Sequence, residues 1–287
     1  MSLCFFVSDL HGKIDRYKKL FEQIRLQKPK AIFIGGDILP SALFVASANS
    51  EIHQDFINGF MVPELEKIKS ELKEQYPQIF VILGNDDGKF EEPAMLDAAS
   101  RGFWEYIHDR KVSFEDFDVY GYSYIPPTPF KLKDWEKYDV SRFVDPGCVS
   151  PEDGLHSRPV SANELRYSTI QKDLEELAGK DDLSKAIFLF HSPPYKSKLD
   201  RAALDGKMID YAPLDVHVGS IAIQRFILKR QPLITLHGHV HESARITGSW
   251  QEEIGQTQAF SAAHDGPELS LVIFDPENPQ QAERLLL

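Results

Sequence analysis

Runs of apolar residues alternate with amphipathic stretches along most of the chain. The strand-like runs cover residues 3–8, 31–34, 79–83, 117–123, 186–190 and 232–236. Helices are predicted at about residues 14–24, 62–72, 163–178 and 219–229, where apolar residues recur at helical spacing. This β-α-β-α-β order predicts an α/β fold with a largely parallel, layered sheet.

Two regions depart from the alternation. Residues 40 to 60 are rich in Ser, Ala and Asn, and we predict a small excursion there. Residues 125 to 160 contain six prolines, which interrupt any long element. A long connection of this kind is uncommon unless it has a function, so we interpret it as an inserted, lid-like loop region. Beyond it, short strands are predicted at residues 243–246, 258–260 and 269–274.

Size and charge narrow the class of protein. The length of 287 residues fits one domain over residues 1–287, and 42% hydrophobic residues are enough for a sizeable core. The formal net charge of -12 argues against a nucleic-acid partner, although bound metal ions could still attract a nucleotide. Cys4 and Cys148 form no disulfide framework. With no signal peptide and no membrane-length apolar stretch, we expect a cytoplasmic protein without a membrane partner. The sequence leaves open whether the protein forms a homo-oligomer.

Groups that bind metal ions follow five of the strand-like runs directly. The segments are Asp9-Leu10-His11, Gly35-Gly36-Asp37, Gly84-Asn85-Asp86-Asp87, His191 and His237-Gly238-His239-Val240-His241. Asp9 alone could equally be a helix cap, and His191 alone would more often be structural. Together they place carboxylate, amide and imidazole groups at one edge of a sheet, which is what a two-metal hydrolytic centre requires. Mixed nitrogen and oxygen donors favour Mn, Fe, Zn or Co.

The five segments, in this order and at strand ends, resemble the calcineurin-like metallophosphoesterase superfamily. The resemblance implies a four-layer α/β/β/α sandwich and two divalent transition metal ions. It implies one ion held by Asp9, His11, Asp37 and His241, and a second held by Asp37, Asn85, His191 and His239. Asp37 would bridge the two ions, and a metal-bridging hydroxide would attack phosphorus in a small phosphorylated substrate.

One position departs from the family pattern. The family usually has His after the Asn, and this chain has Asp86. Beside two cations we expect Asp86 to be ionised, so that it neither donates a proton nor attracts a phosphate. Another residue could supply the acid, the substrate could have a good leaving group, or turnover could be slow. We therefore predict a hydrolase that favours phosphodiester or nucleotide-type substrates, with Asp37 and Asp86 as the catalytic residues. The alternatives are a phosphomonoesterase of broad specificity and a metal-binding interaction scaffold with weak or no activity.

Outside the five segments, the candidates are weaker. Asn85, His217 and Arg142 are predicted to contact substrate, although a surface role is the commoner one for His217 and Arg142. His237 is predicted to be a buried structural histidine, and Trp135 is predicted to pack the inserted region. His53, His108 and His156 have no visible partner and are predicted to lie on the surface.

Overall fold

The computed structural model describes residues 2–41 and 55–287, so most of the predicted excursion at residues 40 to 60, together with His53, lies outside the described residues. The strands are β1 (Cys4–Val7), β2 (Ala31–Gly35), β3 (Gln78–Ile82), β4 (Glu105–Tyr106), β5 (Arg110–Phe114), β6 (Phe117–Tyr122), β7 (Ala186–Phe190), β8 (Met208–Ile209), β9 (Ala212–Pro213), β10 (Ile234–His237), β11 (Gln251–Ile254), β12 (Thr257–Ser261), β13 (Ser270–Phe274) and β14 (Glu283–Leu286). The α-helices are α1 (Ile14–Gln27), α2 (Val62–Leu72), α3 (Glu92–Ser100), α4 (Ala162–Tyr167), α5 (Ile170–Ala178), α6 (Ile221–Arg230) and α7 (Ser243–Thr247).

Twelve of the strands form two six-stranded sheets. The first sheet has the order β14-β13-β1-β2-β3-β4, and the second has the order β11-β12-β10-β7-β6-β5. In the first sheet β1, β2, β3 and β4 are parallel, and in the second β6, β7, β10 and β12 are parallel. The remaining strands join antiparallel at the edges, while β8 and β9 form a separate hairpin. The carboxyl ends of neighbouring parallel strands therefore meet at one edge of each sheet.

Alternation along the strands creates the layers, because successive side chains point to opposite faces of a sheet. Phe6 and Phe33 of the first sheet share a buried cluster with Leu189 and Leu236 of the second, so these faces pack against each other. Their neighbours Phe5 and Ile32 belong to the other core cluster, with the apolar faces of α1 and α2. The outer face of the second sheet packs in the same way against α5 and α6. The four-layer α/β/β/α arrangement predicted from the family resemblance is thus confirmed.

Two predicted elements are wrong. The single helix over residues 163–178 is two helices, because Ser168 and Thr169 have extended backbone and the Thr169 side chain caps α5 by accepting from the amide of Lys172. The predicted strand at residues 243–246 is helix α7, which follows a turn closed by the amide of Ser243 and ends at Gly248. Five residues of mixed apolar and polar character are too few to show either a helical or a strand period. The turn that precedes them therefore sets their conformation.

The proline-rich region is a packed segment. Between residues 125 and 160 it forms isolated bridges but no strand or helix, and Trp135 at its centre is fully buried. Lys133 and Glu136 form a buried ion pair there. Asp134 accepts hydrogen bonds from the amides of Ser157 and Lys89, both at 2.7 Å. The complete burial of Trp135 agrees with the packing role predicted for it, and movement of the segment as a lid stays a prediction.

No helix in the described parts of the chain combines the length and the apolar character needed to cross a bilayer.

Candidate metal centre

Five strand ends deliver the candidate ligands to one place. Asp9 and His11 follow β1, Asp37 follows β2 and Asn85 follows β3, all in the first sheet. In the second sheet, His191 follows β7, and His239 and His241 follow β10. The amide of Gly238 donates to the His191 carbonyl at 2.9 Å, and the amide of Asp9 donates to the Gly36 carbonyl at 2.9 Å. These main-chain bonds hold the loops of each sheet in register.

The side chains form two groups that share one residue. Ligand atoms of Asp9, His11, Asp37 and His241 lie within 4.8 Å of one another, and so do those of Asp37, His191 and His239. In the first group, Nε2 of His241 lies 3.2 Å from Nε2 of His11 and 3.2 Å from Oδ1 of Asp9. In the second, Nε2 of His191 lies 3.2 Å from Oδ2 of Asp37 and 3.1 Å from Oδ1 of Asn85. The structure therefore brings together all seven residues predicted as metal ligands.

The backbone of these loops is unusual. Asp9, His11, Asp37 and His239 all have positive φ, at 56°, 48°, 49° and 74°. Non-glycine residues seldom adopt this left-handed conformation, and when they do it is often at functional sites where the surrounding structure holds it in place. Here it turns four side chains back toward a common centre at the ends of their strands.

Two glycines allow the loops to approach one another. A Cβ atom on Gly36, whose φ is +90°, would lie 2.7 Å from Nδ1 of His191 and 2.9 Å from Cα of Gly84. A Cβ atom on Gly84 would lie 2.7 Å from Cε1 of His191. Any larger residue at either position would push β2, β3 and β7 apart at the point where Asp37 and His191 meet.

The electrostatics of the cluster favour cations. Burial alone would raise the pKa of Asp37, but the charges of His191 and His11 bring it down to about 2. Burial alone would lower the pKa of His191, but the Asp37 carboxylate raises it to about 9. Burial and the charge of His191 lower the pKa of His239 to about 3, so its ring stays neutral with a free lone pair. Buried carboxylates that hold positive charge beside neutral imidazole are a donor set that fits transition metal ions.

Asp86 and Asp87 have different positions. Asp86 lies at the edge of the first group, where Oδ2 is 3.2 Å from Nδ1 of His11 and Oδ1 accepts from the Ser41 hydroxyl at 2.6 Å. Asp87 is fully buried and accepts from the amides of Gly84 and Leu39, both at 2.8 Å. Burial and the charge of Asp37 raise the pKa of Asp87 to about 7. Asp87 therefore ties the β2 and β3 loops together, while Asp86 contacts a candidate ligand.

His237 lies two residues before His239 but faces another way. Its Nδ1 donates to the Ser192 carbonyl at 2.9 Å, its Nε2 accepts from the Thr235 hydroxyl at 2.8 Å, and the ring is fully buried. With both ring nitrogens already bonded, His237 has none left for a metal ion, which agrees with the structural role that we predicted for it.

His217 and Arg142, which were also predicted to contact substrate, lie in different surroundings from each other. His217 lines a cavity that reaches His239, and its Nδ1 lies 2.8 Å from Oδ1 of Asp200. Arg142 is paired at 2.7 Å with Glu152 on the surface of the inserted region. The structure does not bring Arg142 to the metal-ligand groups or to that cavity, because its own segment supplies a closer carboxylate.

The surface position predicted for His108 is wrong. Its ring packs between aromatic residues, 4.9 Å from the ring centroid of Trp135 and 5.2 Å from that of Tyr124. Nδ1 accepts from the amide of Ser123 at 3.1 Å. A lone histidine in the sequence gives no sign of this cluster, because Trp135 and Tyr124 lie in other segments of the chain.

Arg16 is a supporting residue that the sequence did not reveal. It is buried on α1, and its guanidinium donates to the carbonyls of Asp9 and Gly266, both at 2.6 Å. Arg16 thereby anchors the Asp9 loop to the carboxyl-terminal part of the chain. Its position on a helix among other charged residues is typical of a solvated surface, so the sequence carried no signal for this role.

Comparison with known proteins agrees with this geometry. The family model described as calcineurin-like phosphoesterase matches residues 4–243. One solved structure superimposes with a TM-score of 0.59 at 16% identity, over 99% of this chain and 98% of its own. Protein TT1561 of Thermus thermophilus gives a TM-score of 0.54 at 15% identity, over 99% of this chain and 98% of its own.

A putative 5'-nucleotidase from Staphylococcus aureus, in complex with alpha-ketoglutarate, is also similar. Its TM-score is 0.50 at 17% identity, and the match covers 99% of this chain and 54% of that one. At such identities these structures support the fold alone. No curated protein matches this chain in sequence. Because the family model covers most of the chain, the protein belongs to the calcineurin-like phosphoesterase family and is a hydrolase of phosphoester bonds.

Proposed function

We propose that the two ligand groups form one dinuclear metal centre that hydrolyses phosphodiester or nucleotide-type bonds. The observation that carries this proposal is Asp37, whose carboxylate belongs to both groups. Asp9, His11 and His241 would complete the first site, and Asn85, His191 and His239 the second. Two divalent ions of Mn, Fe, Zn or Co bound there would supply an activated water and positive charge at phosphorus.

The residues of the chain hold this centre in shape. Asp37 also accepts the amide of Asp86 at 2.7 Å, which fixes its carboxylate between the two groups. Both oxygens of Asp9 face the amide of His239, the nearer at 3.0 Å. Such contacts orient the carboxylates before any substrate arrives, so less reorganisation is needed during the reaction.

The preference for diesters rests on charge. A phosphomonoester carries close to two negative charges near pH 7 and a diester carries one. Where the family usually has His, Asp86 is a carboxylate that contacts His11 and Ser41. Asp86 adds no positive charge to the site. The electrostatic attraction that a dianionic monoester would gain from a His at this position is therefore missing, and this costs a monoester more binding free energy than it costs a diester. A small phosphodiester is therefore favoured over a simple monoester. A nucleotide anhydride is included in the proposal for a different reason, because its phosphate leaving group departs without a strong acid.

The test uses metal-stripped protein reconstituted in turn with Mn, Zn, Fe and Co. Hydrolysis of bis(4-nitrophenyl) phosphate and 4-nitrophenyl phosphate is measured together with metal stoichiometry. We expect two ions per chain, a higher kcat/KM for the diester, and loss of both turnover and tight metal binding in Asp37→Ala. Asp97→Ala, which changes an exposed carboxylate on α3, is the matched control. Two bound ions without turnover on either ester would favour the interaction scaffold instead.

The monoesterase alternative is tested by one further variant. Asp86→His places the usual family residue beside the cluster, so the ratio of monoester to diester turnover should rise. An unchanged ratio would mean that Asp86 does not set the preference, and a wild-type protein that already prefers monoesters would replace the proposal with a phosphomonoesterase.

A further inference from the structure

A cavity of about 220 Å³ opens beside the candidate metal centre. One side is formed by the inserted region and the other by the segment between Tyr195 and Gly219. His239, a member of the second ligand group, is part of its wall. The cavity is therefore continuous with the place where a phosphoryl group would lie, and its volume is enough for part of a small ligand.

The walls of this cavity are mostly apolar. The inserted region contributes Pro126, Val140 and Phe143, and the opposite segment contributes Leu204 and Ile209. Phe143 is 71% exposed and Ile209 is 38% exposed, so both lie at the mouth, where a ligand would cover them. Gly147 of the inserted region approaches Ile209 so closely that a Cβ atom there would overlap its side chain. The two sides thus meet across the mouth.

Apart from the histidines His217 and His239, the charged residues in the wall of the cavity are all acidic. Asp139 is buried and caps α6 through the Ser220 hydroxyl and the amide of Ile221. Asp145 and Asp215 lie at the exposed rim. Partial burial and the charge of Asp215 raise the pKa of Asp145, as expected for carboxylates in the same rim. Among the described residues, neither Lys nor Arg lines this cavity.

We infer that this cavity binds the ester group of the substrate, and that this group is large, mainly apolar and without negative charge. The inference rests on the proposed function and narrows its substrate class to diesters with a single charge at phosphorus. Apolar walls gain free energy by excluding water from an aryl or alkyl group. Two rim carboxylates, in a wall to which the described residues contribute neither Lys nor Arg, repel a second anionic group, including the extra phosphates of a nucleotide anhydride.

The first test measures binding to the metal-stripped protein, without any reaction. The neutral fluorophore 1-naphthol is titrated into wild-type protein, Ile209→Ala and Leu228→Ala. Leu228 is also an exposed aliphatic residue, on α6, but it does not line the cavity. We expect roughly tenfold weaker binding in Ile209→Ala, because apolar contact area is lost, and no change in Leu228→Ala. Equal affinity in all three proteins would overturn the inference.

The second test compares methyl phenyl phosphate with methyl 4-carboxyphenyl and methyl 4-carbamoylphenyl phosphates on the reconstituted enzyme. The carboxylate makes the phenol a better leaving group, so slower hydrolysis cannot come from the leaving group. We expect kcat/KM to fall about tenfold for the carboxylate, mainly through KM, and to be retained for the neutral amide. Asp145→Lys should recover much of that loss, and Asp116→Lys, which changes a residue in the β5–β6 turn, should not.

The outcomes separate this inference from the proposed function. Hydrolysis of all three diesters with equal kcat/KM would overturn the cavity assignment and leave the metal-dependent hydrolase intact. Binding of 1-naphthol without hydrolysis of any ester would overturn the proposed function, and the assignment of a substrate subsite would fall with it. Weaker 1-naphthol binding in Ile209→Ala, together with slower hydrolysis of the carboxylate ester, would support both the cavity assignment and the proposed hydrolase function.

Discussion

The Asp86 carboxylate lies 3.2 Å from Nδ1 of His11, and Nε2 of the same ring faces His241 at 3.2 Å. The carboxylate and the candidate metal position thus lie on opposite sides of one imidazole. A carboxylate that accepts from the outer nitrogen of a metal-binding histidine fixes its tautomer and its orientation. If His11 binds a metal ion as proposed, Asp86 would act through His11 by orienting its ring, and this would be the role of the residue that replaces the usual family His.

Replacement of this carboxylate should therefore weaken metal binding. In Asp86→Asn we expect the affinity for the more weakly bound ion to fall by about 10- to 100-fold, which is typical when such an outer partner is lost. The measurement is competitive metal titration against a chelating dye, with Asp97→Asn as the exposed control. If affinity were unchanged while turnover fell, Asp86 would act on substrate rather than on His11.

His237 and His239 offer a matched pair of variants only two residues apart. His239→Ala should remove one bound ion per chain and leave the fold stable, since its ring lies among the ligand groups. His237→Ala should keep the metal stoichiometry but lower the free energy of unfolding by about 2–4 kcal/mol, because a buried ring and two hydrogen bonds are lost. Elemental analysis and urea unfolding check the two expectations, and the same phenotype in both variants would contradict them.

The environment of His108 predicts a pH dependence of stability. Burial and the charges of Lys89 and Lys137 lower the pKa of His108 well below its ordinary value. Below pH about 6.5 the unfolded chain then takes up a proton that the folded chain does not, so this contribution to stability is present at neutral pH and is lost as the pH falls. The slope is about 1.4 kcal/mol per pH unit for one group. Urea unfolding from pH 7.5 to 5 should show a shallower slope in His108→Phe, and parallel curves would contradict this assignment.

The Lys133–Glu136 pair tests whether the inserted region contributes to stability. Both side chains are fully buried, and Lys133 also donates to the Thr128 carbonyl at 2.8 Å. Lys133→Met alone should lower the free energy of unfolding by about 3–5 kcal/mol, because a carboxylate is left buried without its partner. Lys133→Met combined with Glu136→Leu should recover most of that loss. A single variant as stable as the wild type would mean that the segment opens without affecting the rest of the fold.

Much of the candidate site could be predicted because its residues are local to strand ends. Asp9, Asp37 and Asn85 each follow a buried strand by two or three positions, so a strand assignment alone places them at the same edge of a sheet. The strand runs themselves are short and rich in β-branched and aromatic residues, which makes their boundaries clear. The prediction of a four-layer sandwich depended instead on the family resemblance, since periodicity does not say how two sheets pack.

The errors have a different origin. The aromatic rings around His108, such as those of Trp135 and Tyr124, come mainly from side chains that are distant in sequence. Helix α7 and the break before α5 depend on a turn and a cap, which are local but short. Over such short stretches the competing local preferences differ little in free energy, so a single turn or cap decides between them.

The sequence by itself determined which groups could bind metal ions and at which strand ends they lie, because strand periodicity and the order of the segments are properties of the chain. Only the tertiary structure decided that Asp37 belongs to both ligand groups, that Asp86 contacts His11, and that an acidic, apolar cavity reaches His239. Those relationships join residues up to 232 positions apart. They depend on how the two sheets pack face to face, and that packing is fixed by the whole buried core rather than by any local pattern.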